Sequence, residues 1–104
     1  MKWFTDIHQR RIRFEDERQE HIHSSHPEMS GQIGRIEETL LGPDMVIRSS
    51  TDPAVELFYR HYRKTPVTEK FLCVIVKVSK NDFFIITAFF TDTKKRGEIL
   101  WKKK

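Results

Sequence analysis

The sequence is short of the devices that hold secreted and membrane-bound chains together. Its one cysteine, Cys73, excludes an internal disulfide, and a lone thiol inside an apolar run fits a reducing compartment. No apolar run reaches the roughly 20 residues of a membrane span. The opening stretch, MKWFTDIHQRR, lacks the apolar core of a secretory signal. These absences lead to the expectation of a cytoplasmic protein. Glycine and proline number only four each in 104 residues, and there is no repeat, low-complexity tract or linker. The chain reads as a single domain, residues 1–104.

Charge is plentiful but unevenly placed. The net value is +4. Lys2, Arg10, Arg11 and Arg13 face only Asp6 in a basic N-terminal arm, residues 1–13. Lys94, Lys95, Arg96 and Lys102–Lys104 face only Glu98 at the other end. The middle is acidic on balance. Basic arms on an acidic body supply non-specific attraction to nucleic acid, while the tail 102–104 also reads as a solubilising end.

The elements are read in chain order. Residues 3–14 alternate weakly and hold one or two short strands. Glu15–Ser24 reads as a short helix with Glu15, Asp16 and Glu17 in its first turn, where the helix dipole favours acids. Ser25-His26-Pro27-Glu28 has the pattern of a capping box, followed at helical spacing by Met29, Ile33, Ile36 and Leu40, with Gly42-Pro43 as the stop. Four strands follow: Met45–Ser49, Val55–Tyr62, Phe71–Val78 and Phe83–Thr91. The expected fold class is α+β, two N-terminal helices packed on a four-stranded antiparallel sheet.

Leu72, Val74, Val76 and Val78 form one apolar face, assigned to the helices. Phe71, Cys73, Ile75 and Lys77 then face away. In the last strand the uniformly apolar Phe84, Ile86, Ala88 and Phe90 are expected in the core, with Thr87 beside Lys77. A lysine near the end of a greasy strand either snorkels to water or fixes a positive charge on a sheet face, as a phosphate ester would need.

One further pattern runs along the chain: His21-Ile22; His26-Pro27-Glu28-Met29; Thr39-Leu40 with Pro43-Asp44; Phe58-Tyr59-Arg60; Val74-Ile75-Val76-Lys77; Phe84–Phe89; Gly97-Glu98 and Leu100-Trp101. From Ile12 to Trp101 the series resembles the small phage-associated members of the barnase–EndoU–colicin–RelE (BECR) nuclease superfamily. The resemblance implies a RelE-like fold and a metal-independent endoribonuclease, a toxin or phage-derived effector with RNA as partner and a cognate antitoxin or immunity protein. It departs from the family pattern at Ser25 and Glu15, where arginine and threonine are expected.

Metal-free RNA cleavage drives the 2′-hydroxyl onto the neighbouring phosphate. It needs a base, an acid, and cations for the transition-state charge. Histidine suits the proton steps and arginine or lysine the phosphate. The expected catalytic residues are His21, His26, Lys77 and Thr87. The expected substrate contacts are Arg60, Tyr59 and Arg48. No cofactor is expected, and none of His21, His23 and His26 converges with the others on a helix, so no metal site is expected either.

Two other readings compete. A non-catalytic binding module would act through a protein or RNA partner, with Phe71, Ile75 and Phe89 as an apolar patch, and a dimer is one way to cover it. A DNA-binding regulator fits poorly, because neither helix carries a basic run for a major groove.

Overall fold

A computed structural model describes residues 1–104. The chain opens on a hairpin, β1 (Lys2–Thr5) and β2 (Arg11–Phe14), in which Phe4, Ile12 and Phe14 alternate inward. Helix α1 (Asp16–Ser25), a 3₁₀ turn (Pro27–Met29) and α2 (Ile33–Leu41) follow. Five strands complete the chain: β3 (Met45–Ser49), β4 (Val55–Tyr62), β5 (Lys70–Ser79), β6 (Asp82–Thr91) and β7 (Gly97–Lys102). All seven join one sheet in the order β1-β2-β6-β5-β4-β3-β7. The pairing of β2 with β6 is parallel and the rest are antiparallel.

This overturns the expected four-stranded antiparallel sheet behind two N-terminal helices. A strand hairpin precedes the helices, the sheet is mixed, and it has three more strands. Ile12 and Phe14 had too short an alternation to weigh against the helical pattern that follows. The Gly97–Lys102 strand was hidden by the lysines that end it.

The second helix also differs. Ser25 closes α1 rather than capping the next helix, and Gly31 adopts φ +75°, which breaks the run between Met29 and Ile33. Met29, Ile36 and Leu40 still reach the core together with Ile22. They meet Val46, Phe58, Leu72, Val74 and Val76 on one face of the sheet. The other face carries Ile47, Leu57, Tyr59 and Cys73, flanked by Met45, Val55, Phe71, Ile75 and Phe89.

Strand β6 changes parity midway. The β5–β6 turn pairs Ser79 with Asp82, so Phe83 and Ile85 start on the helix face. A bulge at Ile86 then shifts the register between Ile75↔Thr87 and Val76↔Ile85. Beyond it Ala88 and Phe90 turn inward and Thr87, Phe89 and Thr91 outward. Phe84, expected in the core, instead stands opposite Lys77 on the open face.

Four successive antiparallel pairings leave β7 running in the same direction as β6. Residues 92–96 therefore cross the open face as a strap. Lys70 Nζ holds the strap's start through Asp92 at 2.6 Å, the Lys94 ammonium lies 5.0 Å above the Phe71 ring, and the Lys95 N–H donates to Tyr59 Oη at 3.0 Å. Gly97 then lets β7 press against β3: a Cβ there would stand 2.2 Å from the Arg48 carbonyl oxygen. Gly97→Ala is expected to cost about 1–3 kcal/mol in a urea melt, the range of an overpacked contact, because the clash is with backbone and β7 must lift.

Candidate binding groove on the open sheet face

The groove grows out of three stretches of sequence. The first is Ser49-Ser50-Thr51-Asp52-Pro53, a polar turn between β3 and β4. Its shape is fixed by Ser49 Oγ, which accepts the N–H groups of Thr51 and Asp52, and by Asp52 Oδ1, which accepts that of Ala54. The second is the alternation of β4 and β5, which sets Val55, Leu57 and Ile75 side by side on the open face. The third is the strap, which brings Lys95 and Arg96 over that floor. Together they enclose about 480 Å³.

Lys77 lies at the Asp52 end. Its Nζ donates to Asp52 Oδ2 at 2.8 Å, and that bond, with the Ala54 N–H, holds the Asp52 carboxyl below the usual carboxylate range. Asp52 is thus ionised at neutral pH and paired with the Lys77 ammonium, which leaves Lys95 and Arg96 as the groove's cations without an ion-pair partner. None of the ion pairs in the structure engages Lys94, Lys95, Arg96, Lys102, Lys103 or Lys104.

The residues singled out from the sequence do not assemble. Lys77 and Thr87 share the open face, as expected, and Tyr59 is on it too. Tyr59 is buried under the strap, however, and Lys77 is neutralised by Asp52. His26 stands at the β6 margin, its ring 5.5 Å from that of Phe89, with Nδ1 3.6 Å from Glu28. His21 is on the exposed side of α1. Arg60 and Arg48 lie on the opposite face. Arg60 donates to the Gly42 carbonyl and stands 3.6 Å from Glu38, while Arg48 donates to Glu98 at 2.9 Å and to the Pro53 carbonyl. No cluster of three or more His, Cys, Asp or Glu side chains is placed to hold a metal ion.

The residues missed from the sequence are Ser50, Asp52, Leu57, Lys95 and Arg96. A signal existed for the last two: a basic triplet between the final strong strand and Gly97, short enough to be forced across a sheet.

Beneath the strap, Tyr59 and Cys73 are cross-strand neighbours. Burial pushes the Tyr59 hydroxyl up to about 12, with the adjacent Cys73 adding to the rise, and pushes the Cys73 thiol up to about 12 as well. Burial and the hydrogen bond to Glu38 do the same for Tyr62, on the helix face. The thiol stays protonated and inert at neutral pH. Both tyrosines ionise more easily unfolded, so their stabilising contribution is complete below about pH 10 and lost as pH rises towards 12. The expected result is tyrosinate absorbance that lags free tyrosine until the chain unfolds, read at 295 nm alongside circular dichroism.

Comparison of the chain with protein-family models, with curated proteins and with solved structures found no match. No helix is long and apolar enough to cross a membrane.

Proposed function

We propose that this chain binds RNA through the open sheet face without cleaving it. The observation that carries the reading is the set of cations on the strap and at the end of β7 that no ion pair engages. Lys95 and Arg96 line a groove with an aliphatic floor of Val55, Leu57 and Ile75 beside the hydroxyls of Ser49–Thr51, while Lys94 lies over Phe71 and Lys102–Lys104 extend the charge at the far end of β7. Unpaired lysines and arginines release counterions when they meet phosphates. Apolar floors and hydroxyls suit unstacked bases and 2′-hydroxyls.

The separation of the parts supports binding without cleavage. His26 packs against Phe89 on β6, whereas Arg96 precedes Gly97, which pairs with Ser49 at the end of β3. General acid–base catalysis needs its groups within hydrogen-bond reach of one phosphate. The two arginines expected to grip that phosphate are on the far side of the sheet.

The experiment is a fluorescence-anisotropy titration of a labelled single-stranded RNA across a salt series, with EDTA present and the RNA run on a gel afterwards. Saturable, salt-sensitive binding with intact RNA is expected. Absence of binding at low salt would sink the proposal. Fragments ending in 2′,3′-cyclic phosphates would replace it with the endoribonuclease that the sequence resemblance implies.

A further inference from the structure

One line of side chains crosses the open face from the β1 edge to the groove. Trp3 pairs with Arg13, Arg13 with Phe84, Phe84 with Lys77 and Lys77 with Val55, so five neighbouring strands each place one residue in register. Their chain neighbours Phe4, Ile12, Phe14 and Ile85 are buried in the helix-side core, which leaves Trp3, Arg13 and Phe84 pointing the other way. Val55 is already part of the groove floor.

Two flat surfaces lie on this line. Trp3 is 46% exposed, and the Arg11 guanidinium stands 4.6 Å from the centre of its ring. Arg11 takes part in none of the ion pairs. Arg13 is held differently. Its Nε and Nη2 donate to the two oxygens of Asp82 at 3.1 and 2.9 Å, and its Nη1 donates to Glu15. Phe84 lies beneath it, the ring centre 4.9 Å from Cζ. The carboxylates cancel the charge of Arg13 and fix its edges, so what it offers a ligand is a flat face and not a grip on phosphate. Lys77 is cancelled in the same way by Asp52. Free cations stand only at the two ends of the line: Arg11 at the β1 edge, Lys95 and Arg96 at the groove.

We propose that unpaired bases of a single-stranded RNA stack along this line, on the Trp3 indole and the Arg13 guanidinium, while Arg11 at one end and Lys95 with Arg96 at the other meet phosphates. This rests on the RNA reading above and extends it from the groove to the β1 edge. Aromatic rings and arginine planes are the surfaces on which unstacked bases settle. From β1 to β4 the line covers four strand spacings, roughly 19 Å, the span of a short oligonucleotide and not of one monomer.

The protein has two tryptophans, and they report from opposite faces: Trp3 on the open face and Trp101 against the helix-side core. The test is intrinsic fluorescence of the full chain, with EDTA present, titrated with a single-stranded oligoadenylate and with an abasic oligomer of the same length and charge. Trp101→Phe leaves Trp3 as the only indole. Its emission is expected to fall saturably with oligoadenylate and to stay constant with the abasic oligomer. Trp3→Thr keeps a strand-forming residue at an exposed position, so circular dichroism should stay native. It should weaken oligoadenylate binding about tenfold, the loss of one stacked base. The slope of log affinity against log salt should not change, because no phosphate contact is lost. Anisotropy of labelled oligoadenylate on the same samples separates the two levels. Binding by anisotropy with constant Trp3 emission, an equal fall with the abasic oligomer, or full affinity in Trp3→Thr removes the stacking line and keeps RNA binding at the strap. No binding by anisotropy removes the RNA reading and the line with it.

Discussion

Arg10→Met is expected to destabilise the fold by about 3–5 kcal/mol, the cost of leaving buried charge without its partner. In a chain of this size that lowers Tm by at least about 12 °C. Arg10 ends the β1–β2 turn and reaches across the helix face of the sheet. Its Nε donates to Asp6 Oδ2 at 2.7 Å and its Nη2 to Glu56 Oε1 at 2.6 Å, and the guanidinium lies 5.2 Å from the centre of the Phe83 ring. Asp6 is 1% exposed and Glu56 8%. Burial works against the Arg10 charge, but the hydrogen bonds to Glu56 and Asp6 outweigh it and raise its pKa. Without the guanidinium, two carboxylates face an apolar interior. The remedy identifies the cause. Adding Glu56→Gln to Arg10→Met should recover a substantial part of the loss, because a neutral amide is cheaper to bury than a lone charge. Urea melts of the wild type, the two single variants and the double variant give the coupling directly. A drop below about 1 kcal/mol for Arg10→Met would show the cluster to be incidental.

The second large effect concerns binding. Lys95→Glu with Arg96→Glu is expected to weaken single-stranded RNA binding by about a hundredfold at low salt and to flatten its salt dependence. Each phosphate contact on a single strand contributes about 0.7 to the slope of log affinity against log salt, so losing two lowers the slope by about 1.4. Arg48→Ala serves as the control. Arg48 is another arginine, but it is on the helix side of the sheet and tied to Glu98. Its loss should leave both affinity and slope unchanged. If Arg48→Ala weakens binding as much as the double reversal does, the attraction belongs to net charge and not to the strap.

The elements legible in the sequence were those whose own residues decide them. Met45–Ser49 and Val55–Tyr62 are strands with the expected bounds, and the two apolar runs of the last third extend by a residue or two. Their alternation or β-branched content is strong and their flanks are turn residues. The inward set on β5 was likewise readable, because Leu72, Val74 and Val76 allow no other face. What could not be read depends on distant partners. Ile12 and Phe14 become a strand because Phe4 pairs across a turn and Phe84 meets Arg13 from far along the chain. Ile99 and Trp101 become a strand because β3 offers an edge. The bulge at Ile86 leaves no mark in composition, and neither does the Ser79–Asp82 pairing that sets Phe84 opposite Lys77. In the candidate site, residue type pointed to Lys77, and Thr87 shares its face only because the bulge at Ile86 reverses the parity that the β5–β6 turn sets. Nothing local to Arg48 or Arg60 showed that each would find an acceptor on the other side of the sheet.

The strap has a consequence for how the molecule comes to exist. Strands β4, β5 and β6 are linked by short hairpins, so their pairing closes small loops. Arg48 meets Glu98 and Arg13 meets Phe84 only after long stretches of chain have been brought together. Contact-order reasoning places those unions late. The groove takes two of its walls from early elements and its cations from the segment that leads into β7. A nascent or partly folded chain therefore presents the aliphatic floor before it presents Lys95 and Arg96 over it. Competence to bind arrives with the final strand, so occupancy of the groove counts only completed molecules and by mass action draws the population towards them.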